Sequence, residues 1–107
     1  LRAGSTREAE RELRRAIDLD ARCAGAWVNL GGILLGRWEF AAAVEANRKA
    51  AAAEPTLALA HFNQAVGYLH LGEPARAADA LARAQAAGGD RAERAGARRK
   101  RERVVLA

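Results

Sequence analysis

Alanine returns along this 107-residue chain at a fixed interval of 34 residues. Ala9, Ala43 and Ala77 make one series, and Ala16, Ala50 and Ala84 make a second. Two series with one period indicate stacked supersecondary units rather than a single globular core. The composition says what the units are made of. Ala, Leu, Arg and Glu, all strong helix formers, dominate, while aromatics reach only 5 % and β-branched residues are sparse.

Helical spacing and punctuation divide the chain. Ser5 and Glu8 read as an S-x-x-E capping box that starts a helix near Thr6. Ala9, Leu13, Ala16, Ile17 and Leu19 continue it, and it should stop around Asp20. A second helix is expected over about Gly25 to Leu35, with Trp27, Leu30, Gly31 and Leu34 on one face. Glycine inside a helix costs roughly 1 kcal/mol relative to alanine, and close approach of a neighbouring helix would compensate at Gly31. The third helix should run from about Trp38 to Ala53, with Pro55 ending it. The next unit begins near Thr56. Gly72 should close its first helix, Pro74 fits the opening turn of its second, and Gly88–Gly89–Asp90 breaks the chain before a tail.

The period and these residues resemble the tetratricopeptide repeat. Trp27, Leu30, Gly31 and Leu34 follow its W-x₂-L-G-x₂-Y pattern, with Leu34 in the aromatic place. In the next unit His61, Gln64 and Ala65 depart from the pattern, whereas Tyr68, Gly72, Ala77, Leu81 and Ala84 match it. A large aromatic is expected where Asn47 stands, so Asn47 should weaken packing or mark a contact. The resemblance implies an all-α fold, a right-handed α-solenoid of helix–turn–helix units. Residues 1–91 would form the array: 1–23 as the second helix of a partial repeat, then units 24–57 and 58–91. Residues 92–107 would be a basic capping helix or tail.

In this family the first helix of each unit lines a concave groove. The stripes beside the packing face are then Gly25, Val28, Asn29, Gly32, Leu35 and Gly36, followed by Leu59, Phe62, Asn63, Val66, Leu69 and His70. Asn29 and Asn63 lie 34 residues apart. Resemblance implies that they hold the main chain of a bound peptide, a role for which an amide suits because it donates and accepts. Val28, Leu35, Val66 and Leu69 would supply an apolar floor, Phe62 an anchor and His70 a polar rim. Equally, each asparagine could simply solvate a helix face. The family's carboxylate clamp needs Lys or Arg at places here held by Val28, Gly32, Phe62 and Val66, so it is not expected.

Charge is unevenly placed. Residues 1–89 carry 11 basic and 10 acidic side chains, and residues 90–107 carry seven and three. Arg98, Arg99, Lys100, Arg101 and Arg103 make the tail either a solvating cap or a surface for an acidic partner. Nucleic acid is not favoured, because the tail has no aromatics and no known motif. No run of about 20 apolar residues is present, so contact with a membrane would be indirect. The single Cys23 does not report the compartment. A chain without methionine that opens on Leu1 reads as a processed product, an excised piece or part of something longer.

No catalytic constellation emerges, and neither a metal nor a cofactor is expected. His61 and His70 fall about 180° apart on a helix and cannot share a metal. Gly31–Gly36 is followed by Arg37–Trp38 rather than the Lys–Ser/Thr of a phosphate loop. The expectation is a non-catalytic scaffold that binds a peptide or helix of another protein. The alternatives are a subunit docked permanently in a larger, possibly membrane-associated assembly, or the targeting domain of an enzyme. Docking would use the open flank of the first helix and the tail, the same N-terminal flank could pair with a second copy of the chain, and an exposed apolar patch on Leu13 and Ile17 would favour docking.

Overall fold

The computed structural model describes residues 3–88, and the side chains of residues 6–88. The boundary at residue 91 and the basic residues Arg98, Arg99, Lys100, Arg101 and Arg103 lie outside the described residues. Four complete helices follow in order: α1 (Ala3–Leu19), α2 (Ala24–Gly36), α3 (Phe40–Ala53) and α4 (Ala58–His70). Residues 74–88 are helical and form α5. Each helix packs on the next from α1 to α4, and α2 also reaches α4 across the stack. The first helices of successive units therefore touch, as in a solenoid. Among the described residues no helix is long and apolar enough to cross a membrane.

Two helix starts differ from expectation. The first helix begins at Ala3, so Ser5 is an interior residue and not a cap. Any helix leaves its first four N–H groups without intrahelical partners, so starting about three residues earlier adds bonds without orphaning more donors. The third helix begins at Phe40, because Trp38 has φ 64 and cannot join a right-handed helix. The stops agree with the sequence. After Leu19 the Asp20 carboxylate accepts from the Arg22 N–H at 3.0 Å and folds a tight turn. Pro55 ends α3 after Glu54, which takes extended backbone as a residue before proline should.

No side-chain hydrogen bond caps α2, α3 or α4 at Cys23, Glu39 or Leu57. Their stability therefore rests on packing. Leu30, Leu34, Ala43 and Ala46 form one buried cluster, with Leu13, Ile17, Trp27 and Leu35 packed against it. Val28, Ala50 and Ala60 form a second. Burying a leucine contributes about 1.5–3 kcal/mol, and the alanines let the helices approach closely. Trp27 is tied down further, its indole N–H donating to Ala21 O at 2.8 Å while Lys49 Nζ sits 4.6 Å from its ring centroid.

Between the units lies a polar core. Asn47 is fully buried. Its Nδ2 donates to Ala43 O at 2.8 Å, and its Oδ1 accepts from Asn63 Nδ2 at 3.2 Å. Gln64 Nε2 reaches Ala60 O at 3.3 Å and Asn47 O at 3.5 Å. Asn47 fits because Gly31 opposite has no side chain: a methyl there would lie 2.7 Å from Asn47 Cγ. The smaller amide thus stands in the place of the expected aromatic and replaces its dispersion contacts with satisfied hydrogen bonds.

Candidate protein-interaction surface

Gly25, Asn29, Gly32 and Gly36 recur at intervals of four, three and four residues, which places them on one stripe of α2. All four are exposed. A side chain at Gly25, Gly32 or Gly36 would meet nothing within 4 Å, so none of these glycines is required by helix packing. The bareness of Gly32 and Gly36 instead opens a concavity of about 630 Å³ between α1 and α2, lined also by Thr6, Arg7, Asn29, Ile33 and Arg37. Its exposed lining is mainly apolar, with Asn29 and two guanidinium groups at polar points.

One rim is fixed electrostatically. Glu10 on α1 accepts from Arg37 Nη1 at 2.5 Å and pairs with Arg14 Nη2 at 2.8 Å. The hydrogen bond from Arg37, then that from Arg14, holds the Glu10 carboxyl below its ordinary pKa. This pair fastens α1 to the end of α2 and positions the Arg37 side of the concavity.

The residues expected to form the groove divide into three groups. Asn29 is exposed in the concavity. Phe62 (48 % exposed) and Leu69 (62 %) present apolar surface on α4, His70 is exposed beside them, and Val66 is half-buried. Val28 is buried at 6 % in the second core cluster, and Leu35 packs on the first, so neither forms an open floor. Asn63 is also buried, with its amide N–H engaged by Asn47. The two asparagines therefore do not make the equivalent, exposed pair that their spacing predicts. The residue equivalent to Asn47 in the preceding helix is Leu13, which offers no acceptor, so Asn29 has no such partner to turn towards.

Apolar exposure occurs at both ends of the stack, and on α1 it falls on Leu19, which is 84 % exposed. Leu13 and Ile17 are half-buried against the first core cluster and form no open patch. Phe62, Leu69 and Leu81 are exposed instead. Their equivalents Val28, Leu35 and Asn47 are covered, Asn47 by α4.

His61 is buried, with Nε2 2.8 Å from Pro55 O, a carbonyl that can only accept, so Nε2 is the donor. His70 stacks on Phe40, with centroids 4.3 Å apart. Among the described residues no three His, Cys, Asp or Glu side chains are grouped to hold a metal. Thr6, Arg7, Ile33 and Arg37 were not singled out from the sequence, because their part in the concavity depends on how α1 crosses α2.

This arrangement is an all-α helical-repeat solenoid of tetratricopeptide type. It matches two crystal structures of MamA, a repeat protein of that type. One gives a TM-score of 0.78 at 25 % identity, covering 83 % of this chain and 52 % of that one. The other gives 0.74 at 25 % identity, covering 82 % and 48 %. The chain thus spans about half the length of those structures. No family model and no curated protein sequence matches it. Folds of this type generally act as protein-interaction scaffolds.

Proposed function

We propose that this chain is a non-catalytic scaffold that binds a peptide segment or helix of another protein along α2. The observation that carries this reading is the stripe of Asn29, Gly32 and Gly36. Gly32, inside the helix, costs about 1 kcal/mol relative to alanine, and packing requires neither it nor Gly36, the last residue of α2. Their effect is to expose backbone and leave room for a second chain, while Asn29 offers both a donor and an acceptor to a peptide unit. Phe62, Val66, Leu69 and His70 extend the surface on α4. The sequence continues to a basic segment, Arg98 to Arg103, which would cap the array or receive an acidic partner.

A second reading rests on a different observation. The exposed Phe62 and Leu81 lie where their equivalents in the preceding unit, Val28 and Asn47, are covered by α4, and Leu69 is exposed beside them. A further helix seated on this flank would make the chain a docked part of a larger assembly.

Affinity capture from the source extract separates the two readings. Gly32→Leu fills the concavity, and Phe62→Ser removes the most prominent aromatic of the α4 flank. A partner lost with Gly32→Leu and kept with Phe62→Ser supports the groove. The reverse pattern supports the docked assembly and removes the groove from the account.

A further inference from the structure

The helices α2 and α4 end in the same way. The Trp38 N–H donates to Leu35 O at 3.0 Å and the Glu39 N–H to Leu34 O at 2.9 Å. Thirty-four residues later the Gly72 N–H donates to Leu69 O at 3.1 Å and the Glu73 N–H to Tyr68 O at 2.9 Å. This pair of bonds defines a Schellman ending, in which the residue past the cap takes left-handed backbone and is ordinarily glycine. Gly72 obeys the rule with φ 74, and Trp38 takes the same place with φ 64. A bulky side chain there is a backbone outlier. Trp38 is moreover 75 % exposed, so burial offsets little of the strain. The fold would be better served by glycine at this position.

The indole has aromatic company at the surface. Its ring centroid lies 5.8 Å from Phe40 and 6.1 Å from His70, which stack on one another. Two carboxylates belong to the same pair of turns: Glu39 follows Trp38, and Glu73 follows Gly72. Their side chains are 53 % and 40 % exposed. Glu39 is 3.9 Å from Arg37, which is held more closely by Glu10, and Glu73 is 3.5 Å from Arg76. Exposed pairs of this kind are weak and exchange readily for a better partner. Trp27 carries Lys49 over its ring, whereas among the described residues no lysine or arginine is seated over Trp38.

We propose that Trp38, Phe40 and His70, with Glu39 and Glu73 in the two turns that carry them, form a second docking site, distinct from the α2 groove, for an arginine-bearing segment of a partner protein. A guanidinium group can lie flat on the indole face while its edge donates to a carboxylate, two contacts that a lysine ammonium makes less well together. An acidic segment brings no cation to the indole face and so makes neither contact.

The test uses the full chain and three capped tetrapeptides of arginine, lysine and glutamate, followed through the two indole N–H resonances. The Trp38 resonance is the one absent from Trp38→Gly. Saturable movement of that resonance with the arginine peptide is expected, with tighter binding than the lysine peptide, no response to the glutamate peptide and a still Trp27 signal. Trp38→Gly, followed at the His70 ring, should weaken binding by about fivefold or more while leaving the unfolding midpoint unchanged or higher. Glu39→Gln with Glu73→Gln should weaken it as well. Absence of saturation, equal affinity for the lysine peptide, or binding that survives Trp38→Gly overturns the proposal. A lowered midpoint in Trp38→Gly would also overturn it, by making the indole part of the fold.

Discussion

Asn47 fills the space left by the missing side chain of Gly31, so that a methyl at Gly31 would sit 3.0 Å from Asn47 Oδ1 as well as 2.7 Å from Cγ. Glycine on α2 and amide on α3 are therefore one packing solution. Gly31→Ala should destabilise the chain by about 1–3 kcal/mol through overpacking, despite gaining about 1 kcal/mol of helix propensity. Gly32→Ala, one residue on and facing open space, should stabilise it by about 1 kcal/mol. Urea unfolding of the two variants checks both signs, and a similar response from each would refute the assigned contact.

The Asn47–Asn63 bond crosses between repeat units. Asn47→Leu removes the acceptor and leaves Asn63 Nδ2 buried without its partner, an expected cost of about 1–3 kcal/mol. A double-mutant cycle of Asn47→Ala and Asn63→Ala should give a coupling energy of about 1 kcal/mol. Additive losses would mean that the amides stabilise the interface independently.

Replacing Trp38 by glycine should raise stability by about 1 kcal/mol, since glycine adopts φ near +64° without steric penalty. Thermal unfolding reads this directly. Trp38→Ala keeps a Cβ in the left-handed region and should show less gain.

Glu10 gives the chain a pH signature. Its folded pKa lies below the ordinary value of 4.5, with the Arg37 hydrogen bond as the main cause. A depressed carboxyl pKa contributes stability above its unfolded value, and that contribution fades as pH falls through the folded value. Glu10→Gln should therefore be less stable than the native chain at pH 7, by about 1 kcal/mol. The gap should close as pH drops from about 4.5 through the lower folded value. Denaturation series at several pH values measure it; a gap that persists at the acid end would assign it to packing.

The packing frame was legible in the chain and the polar detail was not. Period and spacing located Leu30, Leu34, Ala43, Ala50 and Ala84, all of them buried, and the glycine at 31 announced a close approach. These positions obey a single rule, apolar or small on the inner face. The asparagines follow no such rule, because equal spacing fixes where a residue sits and not what stands opposite. Leu13, Asn47 and Leu81 occupy equivalent places, and only the middle one can bond to the next unit's asparagine. A trace of this was available: Asn47 and Gln64 stand where the preceding unit has Leu13 and Leu30, so two polar residues replace leucines across one interface. Trp38 carried a similar trace, since Gly72 stands 34 residues beyond it. The concavity itself needed the path of α1 over α2, which no local pattern encodes.

The central claim is that recognition occurs on the exposed stripe of α2. A photo-crosslinking side chain placed at Gly32, and in a second version at the exposed Arg48 on α3, tests it in the source extract. The account predicts a discrete crosslinked protein from position 32, absent from position 48 and lost when Asn29→Ala is added. Equal products from both positions, or a product from position 48 alone, would contradict it.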